Sequence, residues 1–172
     1  NPKNSEEFVL SKIGRELYEA FYLGYTLKQW DQHPRDLAPS VCGRIPIRYN
    51  RQESYVDEKF QLMPKNGYTE MFKNMVSDPL IEVCLNTEFN SIRNTIKPNI
   101  ATLFTGPIDS YFNNVYGKLP WRSLQFKWKT FDKEFVQPCV QINYPNENSY
   151  TRSVEIKHVT SQKCPMTSVS YE

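Results

Sequence analysis

An apolar helical run that meets a glycine and then a tight group of rings constrains this chain more than any other feature. From Glu16 to Trp30 the sequence reads Glu-Leu-Tyr-Glu-Ala-Phe-Tyr-Leu-Gly-Tyr-Thr-Leu-Lys-Gln-Trp. Upstream, Leu10, Ile13, Leu17, Ala20 or Phe21, and Gly24 recur at helical spacing, which predicts an amphipathic helix from about residue 6 to residue 23. Asn4 suits an N-cap with Glu7 three positions on, and Gly24 reads as the C-terminal stop. Tyr18, Phe21, Tyr22, Tyr25 and Trp30 then gather where that helix ends. Rings so grouped either fill a core or offer flat faces to a nucleobase or a sugar, and each stacked base contributes roughly 1 to 3 kcal/mol.

Beyond Trp30 the chain carries Pro34, Pro39, Gly43 and Pro46, which predicts a mobile loop over residues 31–46. Met71, Phe72, Met75 and Val76 share a helical face, so a second helix is expected from Thr69 to about Val76, closed by Asp78-Pro79. Short strands are expected at 81–85, 100–104, 124–128, 140–144 and 154–158. Phe104-Thr105-Gly106-Pro107 reads as a strand turning sharply, after which residues 108–112 start a helical turn. Leu124, Phe126 and Trp128 alternate with Gln125 and Lys127, and Val140, Ile142 and Tyr144 repeat the pattern. Alternation of this kind belongs to antiparallel strands with one wetted face. The fold class expected is α+β, with 1–172 as one compact unit: helical over 1–30, a loop over 31–46, and a mixed sheet region over 47–172.

Composition then narrows the function. With 39% hydrophobic residues, 172 residues bury a sizeable core. A net charge of +2 gives no electrostatic case for duplex nucleic acid or an anionic membrane surface. No apolar run approaches the ~20 residues that span a bilayer, so a cytoplasmic protein without membrane insertion is expected. Cys42, Cys84, Cys139 and Cys164 are widely spaced, and His33 and His158 are the only histidines. That is poor metal-ligand material, and the thiols are expected to stay reduced. No Ser/His/Asp, Cys/His or paired-carboxylate arrangement stands out, so any demanding chemistry falls to a cofactor.

Gly24-Tyr25-Thr26-Leu27-Lys28-Gln29-Trp30 resembles the signature of the UDP-galactopyranose mutases. The resemblance continues, in order, through Arg44-Ile45-Pro46-Ile47-Arg48, Met63-Pro64 with Gly67-Tyr68-Thr69, Thr105-Gly106-Pro107-Ile108-Asp109, the stretch from Tyr116 to Leu124, and Tyr150-Thr151-Arg152. Each motif is weak alone; their ordered combination is specific. It implies a fragment of a larger flavoenzyme, since the family's glycine-rich dinucleotide fingerprint and its C-terminal flavin-contacting segment have no counterpart in these residues. The implied cofactor is FAD, reduced for activity and not retained by this piece alone. The implied substrates are UDP-galactopyranose and UDP-galactofuranose, interconverted through a flavin N5–sugar adduct without net redox change. The oligomeric state, a homodimer included, is left open.

The same resemblance implies roles for individual residues. Arg44 and Arg122 match the arginines that bind the diphosphate, the former from a loop that closes over substrate; a guanidinium suits this by donating a bidentate fork. Tyr55 and Tyr150 match tyrosines that hydrogen-bond the same diphosphate. Tyr25, with Phe21 and Tyr22 beside it, matches the ring set that holds uracil, and Thr26 and Trp30 match residues beside the ribose and the sugar. Thr105, Gly106 and Pro107 match a turn in the flavin-binding portion. Read without the resemblance, Tyr55 and Tyr150 are better explained by core packing. Asp31, Tyr22 and the segment Arg51–Val56 depart from the family pattern, and no role is carried over to His158. A non-catalytic UDP-sugar binding module stands as the alternative.

Overall fold

The computed structural model describes residues 1–52, 54–160 and 162–172. It is α+β in class, as expected: seven α-helical segments and four strands among the described residues. Where one compact unit is expected, the chain divides into two. The first joins Asn1–Met63 to Leu124–Glu172, and the second is Pro64–Ser123.

In the first unit, α1 (Ser5–Tyr18) begins as the cap chemistry predicts, with the Asn4 side chain accepting from Glu7 N at 2.8 Å. The Glu7 carboxylate reaches back to Lys3 N at 2.8 Å, one residue short of the usual reciprocal partner. Gly14, at φ 76° and ψ 179°, kinks the helix in a conformation open to glycine alone. The expected stop at Gly24 does not occur. A π-helical turn (Glu19–Leu23) leads directly into α2 (Gly24–Trp30), Gly24 is right-handed helical, and the helix ends on Asp31 in the left-handed region. Val9, Tyr18 and Cys42 form the core with Phe8, Leu10, Ile13, Tyr22 and Leu23, while Leu17 and Phe21 face outward.

Residues 31–46 are not an unbroken loop. A 3₁₀ turn (Pro34–Asp36) and α3 (Pro39–Gly43) fold back onto the start of α1. Buried Ser5 ties them there: its N donates to Leu37 O at 2.9 Å, its hydroxyl to Ala38 O at 2.7 Å, and Cys42 N donates to the hydroxyl at 3.3 Å.

The second unit holds α4 (Gly67–Met75), α5 (Phe89–Ile92) and α6 (Ile108–Tyr111), so the second helix and the turn after Pro107 lie where the sequence puts them. The strands expected at 81–85 and 100–104 do not form; both runs are irregular. Phe89, Phe104 and Tyr111 pack ring to ring, with the Arg93 guanidinium 4.7 Å from the Tyr111 ring centre.

Back in the first unit, β1 (Lys127–Phe131), β2 (Gln141–Asn143), β3 (Arg152–Val154) and β4 (Thr167–Tyr171) form an antiparallel sheet in the order β1-β4-β3-β2. Lys127 pairs with Tyr171, and Tyr171 also faces Ser153 on β3, so β4 is an inner strand, as is β3. The strand expected at 124–128 is displaced to 127–131, and the one expected at 154–158 stops at Val154. There the fully buried Glu155 turns the chain into α7 (Lys157–Thr160), its carboxylate taking Val136 N at 3.1 Å and Gln137 N at 2.7 Å. Burial alone would raise this carboxyl's pKa. The nearby Thr167 hydroxyl, the two amides and His158 outweigh it and hold the group below the usual carboxylate range. Buried Lys157 directs its ammonium to the carbonyls of Glu134, Cys164 and Met166 and over the Phe135 ring.

Candidate functional site

Tyr25 lies at the centre of the polar residues that the first unit gathers from distant sequence. It is half-buried on the first turn of α2, and its hydroxyl accepts from Arg152 Nη2 at 2.8 Å across a separation of 127 residues. Arg152, at the start of β3, also lies 3.2 Å from the Glu172 carboxylate. Burial pushes the Tyr25 phenol's pKa up; Glu172 and Tyr55 add to the rise, while Arg152 and Arg44 oppose it. The phenol is therefore neutral at ordinary pH. With its oxygen accepting from Arg152, the hydroxyl still has its proton to donate.

Three other rings belong to the same unit. The Tyr22 pKa is raised by burial, with smaller electrostatic contributions from Cys42 and Tyr55. Tyr55 itself is exposed, on a stretch held by Arg48, which donates to Ser54 O at 2.5 Å and pairs with Asp57 at 2.8 Å. Tyr150 stands edge-on between Tyr144 and Tyr171, 5.0 Å from each ring, and burial among them pushes its phenol up. Arg44 is exposed just past α3.

The remaining expected site residues are distributed over both units. Thr26 is buried with its hydroxyl 3.8 Å from Cys42 Sγ. Phe21 is 60% exposed and Trp30 is half-buried. Arg122 belongs to the second unit, where it is exposed. Thr105, Gly106 and Pro107 are exposed there too, and the open side of Gly106 is filled from within: an added Cβ would meet the Phe104 ring at 2.5 Å. The absent side chain at Gly106 thus accommodates the Phe104 ring.

The sequence reading assigns no role to Lys28, Arg152 or Glu172. The first two sit inside quoted motifs, and the 127-residue reach from Arg152 to Tyr25 explains why a local pattern does not disclose their use.

The family model described as UDP-galactopyranose mutase matches residues 20–172. The chain belongs to this family. It is 36% identical over 172 residues to a probable UDP-galactopyranose mutase of Klebsiella pneumoniae, covering 99% of this chain and 44% of that protein. It is 34% identical to a dTDP-fucopyranose mutase of Escherichia coli, over all of this chain and 47% of the relative. A UDP-galactopyranose mutase of Mycoplasma genitalium is 35% identical over 94% of this chain and 43% of its own length. The chain therefore spans less than half the length of these relatives. No described helix is long and apolar enough to cross a membrane, and no described group of His, Cys, Asp and Glu is arranged to hold a metal ion.

Proposed function

We propose that this chain is the nucleotide-sugar-binding portion of a flavin-dependent mutase that interconverts UDP-galactopyranose and UDP-galactofuranose. The observation that carries the reading is the hydrogen bond that joins Arg152 to the Tyr25 hydroxyl at 2.8 Å, in a unit of a chain of this family that also holds Tyr22, Tyr55 and Arg44. The helix tyrosines supply flat faces and one directed hydroxyl for a pyrimidine. Arg44 and Tyr150 hold the diphosphate. As the bond from the anomeric carbon to the diphosphate breaks, negative charge grows on the leaving oxygen, and arginines and neutral phenols placed there stabilise it before water can. Phenols add donors without adding charge.

FAD belongs to this reading, and in the one turn assigned to it, Thr105–Pro107, the open side of Gly106 is taken by the Phe104 ring. We assign this chain the binding and orientation of the nucleotide sugar, and assign flavin binding to the remainder of a longer polypeptide. Piece and cofactor would both sit in the cytoplasm.

A second reading, a dTDP-sugar substrate, is favoured by the near-equal identity to the Escherichia coli relative. Turnover of UDP-galactopyranose and of dTDP-fucopyranose by the flavin-loaded polypeptide carrying this chain separates the two, with oxidised and dithionite-reduced flavin run side by side. Turnover of the UDP-sugar with reduced flavin only is the expected result. Equal turnover in both redox states, or exclusive use of the dTDP-sugar, overturns it. UDP binding without any turnover leaves the non-catalytic module.

A further inference from the structure

The Gly24–Lys28 spacing has a use that ligand contact does not account for. Ala20, Gly24 and Lys28 succeed one another every four residues, so they form one stripe along the helix. The segment from Tyr144 to Tyr150 lies on that stripe. Asn146 Nδ2 donates to Ala20 O at 3.0 Å. Above Gly24 there is no room for a side chain: a Cβ there would stand 2.3 Å from Asn146 Oδ1 and 2.5 Å from Pro145 O. At the third position the Lys28 ammonium donates to Tyr144 O and Glu147 O, each at 2.6 Å, and lies 3.5 Å from Tyr150 O. Tyr144 N closes the same loop onto Thr151 O at 2.9 Å, and Asn148, at φ 62°, takes its left-handed bend.

Resting on the reading above, we propose that Lys28 is a positioning residue, the ammonium latch that folds this loop onto α2 and so sets the Tyr150 ring and the adjacent Arg152 for a nucleoside diphosphate. A carbonyl-gathering ammonium suits the task, because its three donors converge on oxygens from both ends of one loop. Tyr150 is the residue that profits, since its own carbonyl is the third in the latch and its ring is wedged between Tyr144 and Tyr171. The Lys28 side chain itself has no need to touch the ligand.

The test is a double-mutant cycle on UDP affinity in the polypeptide carrying this chain, using Lys28→Met, Tyr150→Phe and the pair. Each single change is expected to weaken UDP about tenfold, and the pair no more than either alone, because a displaced Tyr150 has nothing further to lose. Additive losses would overturn the latch. Asn146→Ala, which removes the exposed anchor at the other end of the stripe, provides a second cycle if Lys28→Met fails to fold; it too should be non-additive with Tyr150→Phe. Lys28→Arg should recover part of the affinity, since a guanidinium retains several donors for carbonyls. Unmutated protein that binds neither UDP nor dTDP overturns the functional reading, and the latch with it. Binding with additive cycles overturns the latch alone.

Discussion

Replacing Gly24 by alanine ought to stabilise a helix. Gly24 has right-handed helical torsions of −64° and −40°, and an interior Gly→Ala exchange ordinarily gains about 1 kcal/mol. The structure reverses that sign. The new methyl would stand 2.5 Å from the Pro145 carbonyl oxygen and 2.3 Å from Asn146 Oδ1, against the 3.0 Å below which Cβ contacts essentially never occur. The Asn146 amide can swing away at the loss of its bond to Ala20 O, about 1 kcal/mol. The carbonyl is main chain and must move by at least about 0.5 Å, against a loop that Lys28 holds at 2.6 Å from two sides. Overpacking of this kind costs about 1 to 3 kcal/mol. After the propensity gain, a net loss of about 1 to 3 kcal/mol remains. At about 2 to 4 °C per kcal/mol for a chain of this size, thermal unfolding followed by circular dichroism should show a midpoint lower by about 2 to 12 °C. Adding Asn146→Ala should recover none of the carbonyl share. A midpoint that rises in Gly24→Ala would refute the close approach and the stripe built on it.

Two pH responses follow from buried groups. Glu155 has its folded pKa below the unfolded value of about 4.3. Its contribution is therefore complete above that pH and is lost as pH falls through the lower folded value. Glu155→Gln should be less stable at pH 7 and lose less on acidification, as urea midpoints from pH 7 to pH 3 would reveal; parallel curves for the two proteins would exclude the role. Tyr18 is the opposite case: its phenol is pushed up to about 12, first by burial and then by the Glu6 carboxylate. The folded state keeps a proton that the unfolded chain releases near pH 10, so stability falls between about pH 10 and 12. Ultraviolet titration should show Tyr18→Phe indistinguishable from the parent below pH 11, and a lost phenolate step at lower pH would contradict the burial.

What the sequence made legible was local. The Asn4 cap, α4 and the turn after Pro107 each depend on side chains within four residues of one another, and each lies where expected. The apolar runs at 81–85 and 100–104 are too short for periodicity to separate strand from irregular chain, and neither became a strand. β4 was missed because Thr167-Ser168-Val169-Ser170-Tyr171 carries only Val169 and Tyr171 as apolar signal, although it is one of the sheet's two inner strands. Glu155 and Lys157 give no sign of burial in sequence, since their partners are main-chain amides and carbonyls that any residue could offer.

Gly24 failed for a related reason. A glycine after an apolar helical run ends helices often enough to be read so, but here its cause is main chain at Pro145, which only the tertiary fold brings near. The usable clue was its partner. A bare backbone position and an ammonium four residues apart present one helix face that can take a chain segment at close range and bind its free carbonyls. The segment between β2 and β3 supplies both needs: Pro145 puts its carbonyl against the glycine, and Tyr144 and Glu147 turn theirs to the lysine. Within the family signature, then, Tyr25 takes the hydrogen bond from Arg152, while Gly24 and Lys28 hold the loop that ends at Tyr150.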